Sequence, residues 1–138
     1  MADYRFSKII TNDLQELPLL AEQIELLGYQ ANWPTAVVMQ INLVIEELIV
    51  NTINYGYSNG RVGAIEVNIE TNSQTIYIEI KDDGDAFNPL ENKLPDITLK
   101  IEDRPIGGLG IFIVKNYMDT FDYYYANNQN CTRLSKQL

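Results

Sequence analysis

The chain has no histidine at all and a single cysteine, Cys131, in 138 residues. Without histidine the commonest general base of neutral-pH catalysis is missing, and so is the phosphoacceptor that a complete histidine kinase carries. Any base must therefore be a carboxylate, a lysine or a tyrosine. One cysteine forms no internal disulfide, and with no histidine the usual zinc and haem ligand sets are absent. A reducing, cytoplasmic location is expected. Basic residues are also scarce, with 10 Lys and Arg against 19 Asp and Glu and a net charge of -9. Nucleic-acid binding draws mainly on clustered Lys and Arg, so DNA and RNA are excluded as default partners. No apolar run approaches the roughly 20 residues of a membrane helix. The start MADYRFSKII lacks the basic-then-apolar layout of a secretion signal.

What is present is ordinary globular text, 46% hydrophobic, enough to bury a core within one domain spanning residues 1–138. YRFSKII reads as a strand. TNDLQELPLLAEQIELLGYQ then shows helical spacing through Leu14, Leu17, Leu20, Ile24 and Leu27, with Gly28 as its stop. A second helix runs from about Pro34 to Asn54, with Pro34 suited to its first turn and Gly56 marking its end. AIEVNIET and TIYIEIKD alternate apolar and polar residues either side of Asn72 and Ser73, the pattern of an antiparallel hairpin with one buried face. Asp83 to Gly108 is rich in Gly, Pro, Asp and Asn and too long for an ordinary connection, which points to a functional loop. LGIFIVKNYMDT reads as a third helix and FDYYYANN with NCTRLSKQL as a final strand pair. The order implies an α+β fold in two layers, a mixed, mostly antiparallel sheet covered on one face by three helices.

Three constellations carry chemistry. On the second helix Gln40, Glu47, Asn51 and Asn54 share one narrow arc beside an apolar stripe of Val37, Ile41, Ile45, Leu48 and Thr52. Glu47 and Asn51, four apart, point the same way and can share a water and a magnesium ion. As a bare pair they also fit ordinary exposed helix residues. Met39, Leu43, Val50 and Ile53 lie on a further side of the helix and are expected more in the core than on a contact surface. DDGDAFNP, Asp82 to Pro89, follows a core strand, where a short acid can accept from an exocyclic amine; the same letters also occur in plain turns. RPIGGLGIF opens the third helix with three glycines in four positions, so backbone amides can approach phosphate oxygens at a positive helix end, with Arg104 adding a charge-assisted bond. Glycines there also serve tight packing. An acidic protein must build any phosphate site locally, from such amides, a few basic side chains and a bridging cation. Neither a Walker nor a Rossmann fingerprint is present.

EELIVNTINYGY, DDGDAFNP and GGLGIFIVKNYMD, in that order, resemble the N, G1 and G2 boxes of the gyrase, histidine kinase and MutL ATPase superfamily. The chain is most similar in pattern to its short branch of bacterial anti-sigma-factor serine/threonine kinases, and the closing N-x-T-x-L-x-K text extends the likeness to nearly the whole length. The resemblance implies an ATP-binding kinase that passes the γ-phosphate to a Ser or Thr of a small antagonist protein and sequesters a sigma factor, as a homodimer. A nucleotide-responsive adaptor with the same pocket and no transfer is the alternative. By resemblance Glu47 is the general base, Asn51 the magnesium ligand and Asp82 the acceptor for the adenine amino group, with Gly84 in the turn that follows. Gly107, Gly108 and Gly110, with Leu109 among them, match the phosphate side. Residues from about 90 to 107 match an ATP lid, Arg104 its basic residue, and Thr132 a hydroxyl near the nucleotide. Ala86, which the resemblance places among the ATP-binding residues, stands where many relatives have a second glycine, and Tyr55 stands where some have histidine.

Overall fold

The computed structural model describes residues 2–91 and 108–138. Arg104, Gly107 and all of the expected lid beyond residue 91 lie outside the described residues. Strand β1 is Tyr4–Thr11, and a short 3-10 turn, Leu14–Glu16, leads into α1, Leu17–Gln30. Helix α2 is Thr35–Tyr55; β2, Ala64–Thr71, and β3, Thr75–Asp82, form the central hairpin. After a 3-10 turn at Pro89–Glu91 and the undescribed stretch come α3, Gly108–Tyr117, and the hairpin of β4, Thr120–Ala126, with β5, Gln129–Gln137. The five strands lie in the order β1-β2-β3-β5-β4. The expected mixed sheet is antiparallel at each of its four pairings, because both hairpins turn directly and β5 inserts antiparallel beside β3.

Strand parity sorts the side chains. Ile65, Val67 and Ile69 on β2 and Ile76, Ile78 and Ile80 on β3 are buried, and they join one core cluster with Leu20, Ile24 and Leu27 of α1, Ile41, Val44, Ile45, Leu48 and Ile49 of α2, and Ile111 and Val114 of α3. Each such side chain contributes roughly 1.5–3 kcal/mol when removed from water. The turns follow local chemistry. Asn72 Oδ1 accepts from the N–H groups of Gln74 and Thr75, both at 2.8 Å, closing the central hairpin. Asn127 and Asn128 both have positive φ, 55° and 59°, as a two-residue primed hairpin turn requires.

Helix α1 does not stop at Gly28. It continues to Gln30, and the left-handed residue that ends it is Asn32, φ 59°. Trp33 N–H donates to Gly28 O and Asn32 N–H to Tyr29 O, the paired bonds of a Schellman end. Gly28 serves close packing instead: a Cβ there would lie 2.7 Å from Val38 Cγ2 and 2.8 Å from Trp33 Cε3.

Helix α2 keeps its expected limits, with Pro34 just before it and Gly56 just after. Over 18 residues its mean hydropathy reaches 1.5, so by length and composition it matches a membrane span, contrary to the expectation that no run came near one. Its Ile41, Val44, Ile45, Leu48 and Ile49 all belong to the shared core. Of the further apolar side, Ile53 packs on the core but Met39 is 65% exposed.

Candidate nucleotide site

The core turns polar at one end, and it does so on three elements together. The inward row of β3 reads Ile76, Ile78, Ile80 and then Asp82; across the ladder β5 sets Leu134 opposite Ile78, Thr132 opposite Ile80 and Asn130 opposite Asp82. On α2 the buried series ends in Asn51. Asn51, Asp82, Asn130 and Thr132 are all buried and line one small cavity of about 20 Å³ with Phe87 and Pro89. Polar groups enter such an interior only with partners, so each is accountable.

Asp82 Oδ1 accepts from Gly84 N–H at 2.9 Å and from Asn130 Nδ2 at 2.8 Å. Burial raises its pKa above the ordinary carboxylate value; the bonds from Asn130 and Gly84 oppose that rise, Asp83 adds to it and Arg61 counters it. Its other oxygen, Oδ2, has no protein partner among the described residues. Asn51 Nδ2 is buried and likewise has no hydrogen-bond partner among them. An orphaned amide and a half-satisfied carboxylate in one cavity form an unfinished polar set, which a ligand with both donors and acceptors would complete.

Gly84 is required by close approach, since a Cβ would come within 2.8 Å of Gly56 O and 2.9 Å of Asp82 Oδ1. Glu47 is half-buried one turn before Asn51, and its pKa is raised, first by burial and then by the neighbouring Glu46. A Cβ built on Gly110 would overlap Glu47 Oε2, so the first turn of α3 is brought against the carboxylate because it carries no side chain there. Gly108 and Leu109 belong to the same first turn. Ala86, whose φ is not positive, lies exposed in the turn after β3 and does not line the cavity. Tyr55 stacks on Phe87, ring centres 5.5 Å apart.

Two features escaped sequence reasoning. The first is Asn130, whose Nδ2 also donates to Asp85 O at 2.9 Å while its Oδ1 accepts from Phe87 N–H and Tyr123 Oη. Asparagine is depleted in strands, and one at an inward parity position was the available signal. The second is the segment after α2. Tyr57 Oη donates to Asp83 Oδ1 at 2.8 Å, Arg61 Nη2 to Asp83 O at 2.7 Å and Ser58 Oγ to Asp85 Oδ2 at 2.8 Å. These bonds tie the turn after β3 to the end of α2. Burial pushes the Asp83 pKa up, but bonds from Ala64 N–H and Tyr57 bring it below the ordinary value. The Tyr57 hydroxyl is raised by burial and by its bond to Asp83.

Residues 10–136 match the family model of the histidine kinase-like ATPase domain. The chain belongs to that family. The domain is similar to the anti-sigma F factor of Anoxybacillus flavithermus, 29% identical over 94 residues, which cover 67% of this chain and 64% of that protein. It is similar also to the anti-sigma F factor of Bacillus subtilis, 29% identical over 72% of this chain and 68% of that one. The serine/threonine-protein kinase BtrW of Bordetella bronchiseptica is 20% identical over 78% of this chain and 75% of its own. Among solved structures, the RsbU and RsbW domains of a Mycobacterium tuberculosis protein superpose with a TM-score of 0.67 at 9% identity, covering 98% of this chain and 32% of that one. The domain thus spans under two thirds of the first relative and a third of this structural neighbour. The α+β fold is that of the family.

Proposed function

We propose that the domain binds ATP at the polar end of its core and passes the γ-phosphoryl group to a serine or threonine hydroxyl of a small antagonist protein, in the manner of an anti-sigma-factor kinase. The observation that carries the reading is the pairing, in one buried cavity, of Asp82, with one oxygen unused, and Asn51, with its amide orphaned, among the described residues. Asp82 suits an exocyclic amine. Thr132 adds a hydroxyl beside it, and opening the cavity to admit a base falls to Phe87 and Pro89, which line its wall.

Magnesium fits this donor set in a limited way. Among the described residues no group of three or more Asp, Glu, Cys or His is placed to hold a metal. A hard cation that takes one or two protein ligands and completes its shell with phosphates and water would use the Asn51 side-chain oxygen, because the orphaned Nδ2 is a donor and serves an acceptor of the nucleotide or a water instead. When bound, the cation would neutralise charge across the phosphates. In transfer, the bond from the γ-phosphorus to the ADP oxygen breaks, a bond to the acceptor oxygen forms, and the hydroxyl proton goes to the Glu47 carboxylate. Its raised pKa makes it a stronger base than an exposed glutamate. The amides of Gly107, Gly108, Leu109 and Gly110 and the charge of Arg104 are assigned to the phosphates, and Gly84 to the turn below the base. Residues 90–107 are assigned to the lid, residues 1–138 to one domain in the cytoplasm, and the partners to a sigma factor, the antagonist and a second copy of the chain.

Calorimetric titration of Mg-ATP and Mg-ADP into the wild type and Asn51→Ala tests the pocket. Magnesium-dependent binding that weakens at least about tenfold in the variant is expected, a difference of about 1.4 kcal/mol. Glu47→Gln should keep nucleotide affinity and lose transfer to an antagonist by about 10²-fold or more. A folded wild type that binds neither nucleotide would end the reading, and binding without any transfer would leave the nucleotide-responsive adaptor.

A further inference from the structure

We infer that Asn130 is a positioning residue that sets the choice of base: it takes one oxygen of Asp82 and pins the turn after β3, leaving the second oxygen as a fixed acceptor. The inference rests on the ATP reading above and names the device that makes the site selective for an amine-bearing base.

Three facts carry it. Asn130 stands opposite Asp82 in the β3–β5 ladder, so its side chain reaches the carboxylate without leaving its own strand. It is 4% exposed, and its amide is fully used: Nδ2 serves Asp82 Oδ1, Asp85 O and, at 3.4 Å, Gly84 O, while Oδ1 takes Phe87 N–H and the Tyr123 hydroxyl. A side chain satisfied on every lone pair and proton has one low-energy orientation, and so has the carboxylate it holds. Third, among the described residues the two donors to Asp82 both fall on Oδ1. Oδ2 is the acceptor left over.

The chemistry of discrimination follows. An ionised carboxylate only accepts, so it pairs with the 6-amino group of adenine and meets the 6-oxo group of guanine lone pair to lone pair. A protonated one can donate and loses that distinction. Burial of Asp82 favours protonation, and the Asn130 amide opposes it. The other groups around Asp82 are Asp83 and Asp85 in its own turn and Tyr57 and Arg61 from the segment after α2. Asn51, Thr132 and Asn130, from α2 and β5, bring no charge.

The test is titration of Mg-ADP and Mg-GDP into the wild type, Asn130→Ala, Asn130→Ser and Asn130→Asp from pH 5 to 8, with melting followed in parallel. The wild type should prefer ADP. Asn130→Ala should lose about tenfold or more of that preference, and the pH at which the preference fades should move upward. Asn130→Ser, which keeps a donor, should recover part of it. Asn130→Asp keeps the size and the acceptor but faces Asp82 with a second carboxyl; it should lose the preference at neutral pH and regain it as pH rises. If Asn130→Ala or Asn130→Asp folds and keeps the wild-type ADP-to-GDP ratio and pH midpoint, Asn130 is a loop anchor and the inference is overturned. A wild type that binds neither nucleotide defeats the ATP reading itself, a different outcome from an unchanged ratio.

Discussion

Asp82 is a carboxylate where strand parity has placed three isoleucines before it. Its pKa is raised by burial, so the folded protein holds the proton more tightly than the unfolded chain does. The stability that goes with the protonated form is present below the unfolded pKa and is lost as pH rises through the folded one. At pH 7 the ionised Asp82 is therefore a burden on the fold. Asp82→Asn, which can keep the acceptor for Gly84 and Asn130, should melt a few degrees above the wild type at pH 7 in scanning calorimetry. The gap should close as pH falls through the raised pKa. Nucleotide binding should fall in the same variant, the usual opposition of stability and site chemistry. Glu47, Asn51 and Asp82 were legible because helical spacing and strand position are local quantities. Asn130 was not, because its meaning depends on which strand lies beside β3, and no local pattern states that β5 and not β4 takes that place.

At the scale of elements, the hairpin around Asn72 and the limits of α2 were readable, since proline, glycine and asparagine act on the backbone within a few residues. Gly28 misled for a physical reason. Its letter is the common helix stop, but its service is to let Trp33 and Val38 press against α1, a tertiary demand invisible in spacing. Gly28→Ala should cost about 1–3 kcal/mol through overpacking, measured by denaturant unfolding, although alanine is the better helix former. An unchanged midpoint would mean that Trp33 can shift freely. The exposed Met39 has the same lesson in reverse: an apolar side of a helix becomes core only if another element arrives to cover it.

For the molecule as a whole, the charge is unevenly drawn. Between Lys8 and Arg61 the sequence contains no basic residue, and this stretch holds α1 and α2, Glu47 and Asn51 among them. A nucleotide is anionic even with magnesium, so its approach to this side is resisted at long range, where salt screens, while the buried contacts are screened little. Stopped-flow association rates for Mg-ATP should rise as ionic strength increases from about 10 to 150 mM, the opposite of steered binding. A falling rate would place the entrance in a local positive field. The strand order has a last consequence, in the time domain of synthesis. β3 is completed at Asp82, but its neighbour β5 begins only at Gln129. At about 5–20 residues per second, a nascent chain carries β3 as an unpaired, isoleucine-rich edge for several seconds. During that interval it has Asp82 but neither Asn130 nor Thr132. The segment between the two strands, which holds the α3 glycines, is thus made while β3 most needs protection from other chains, and nucleotide cannot provide it.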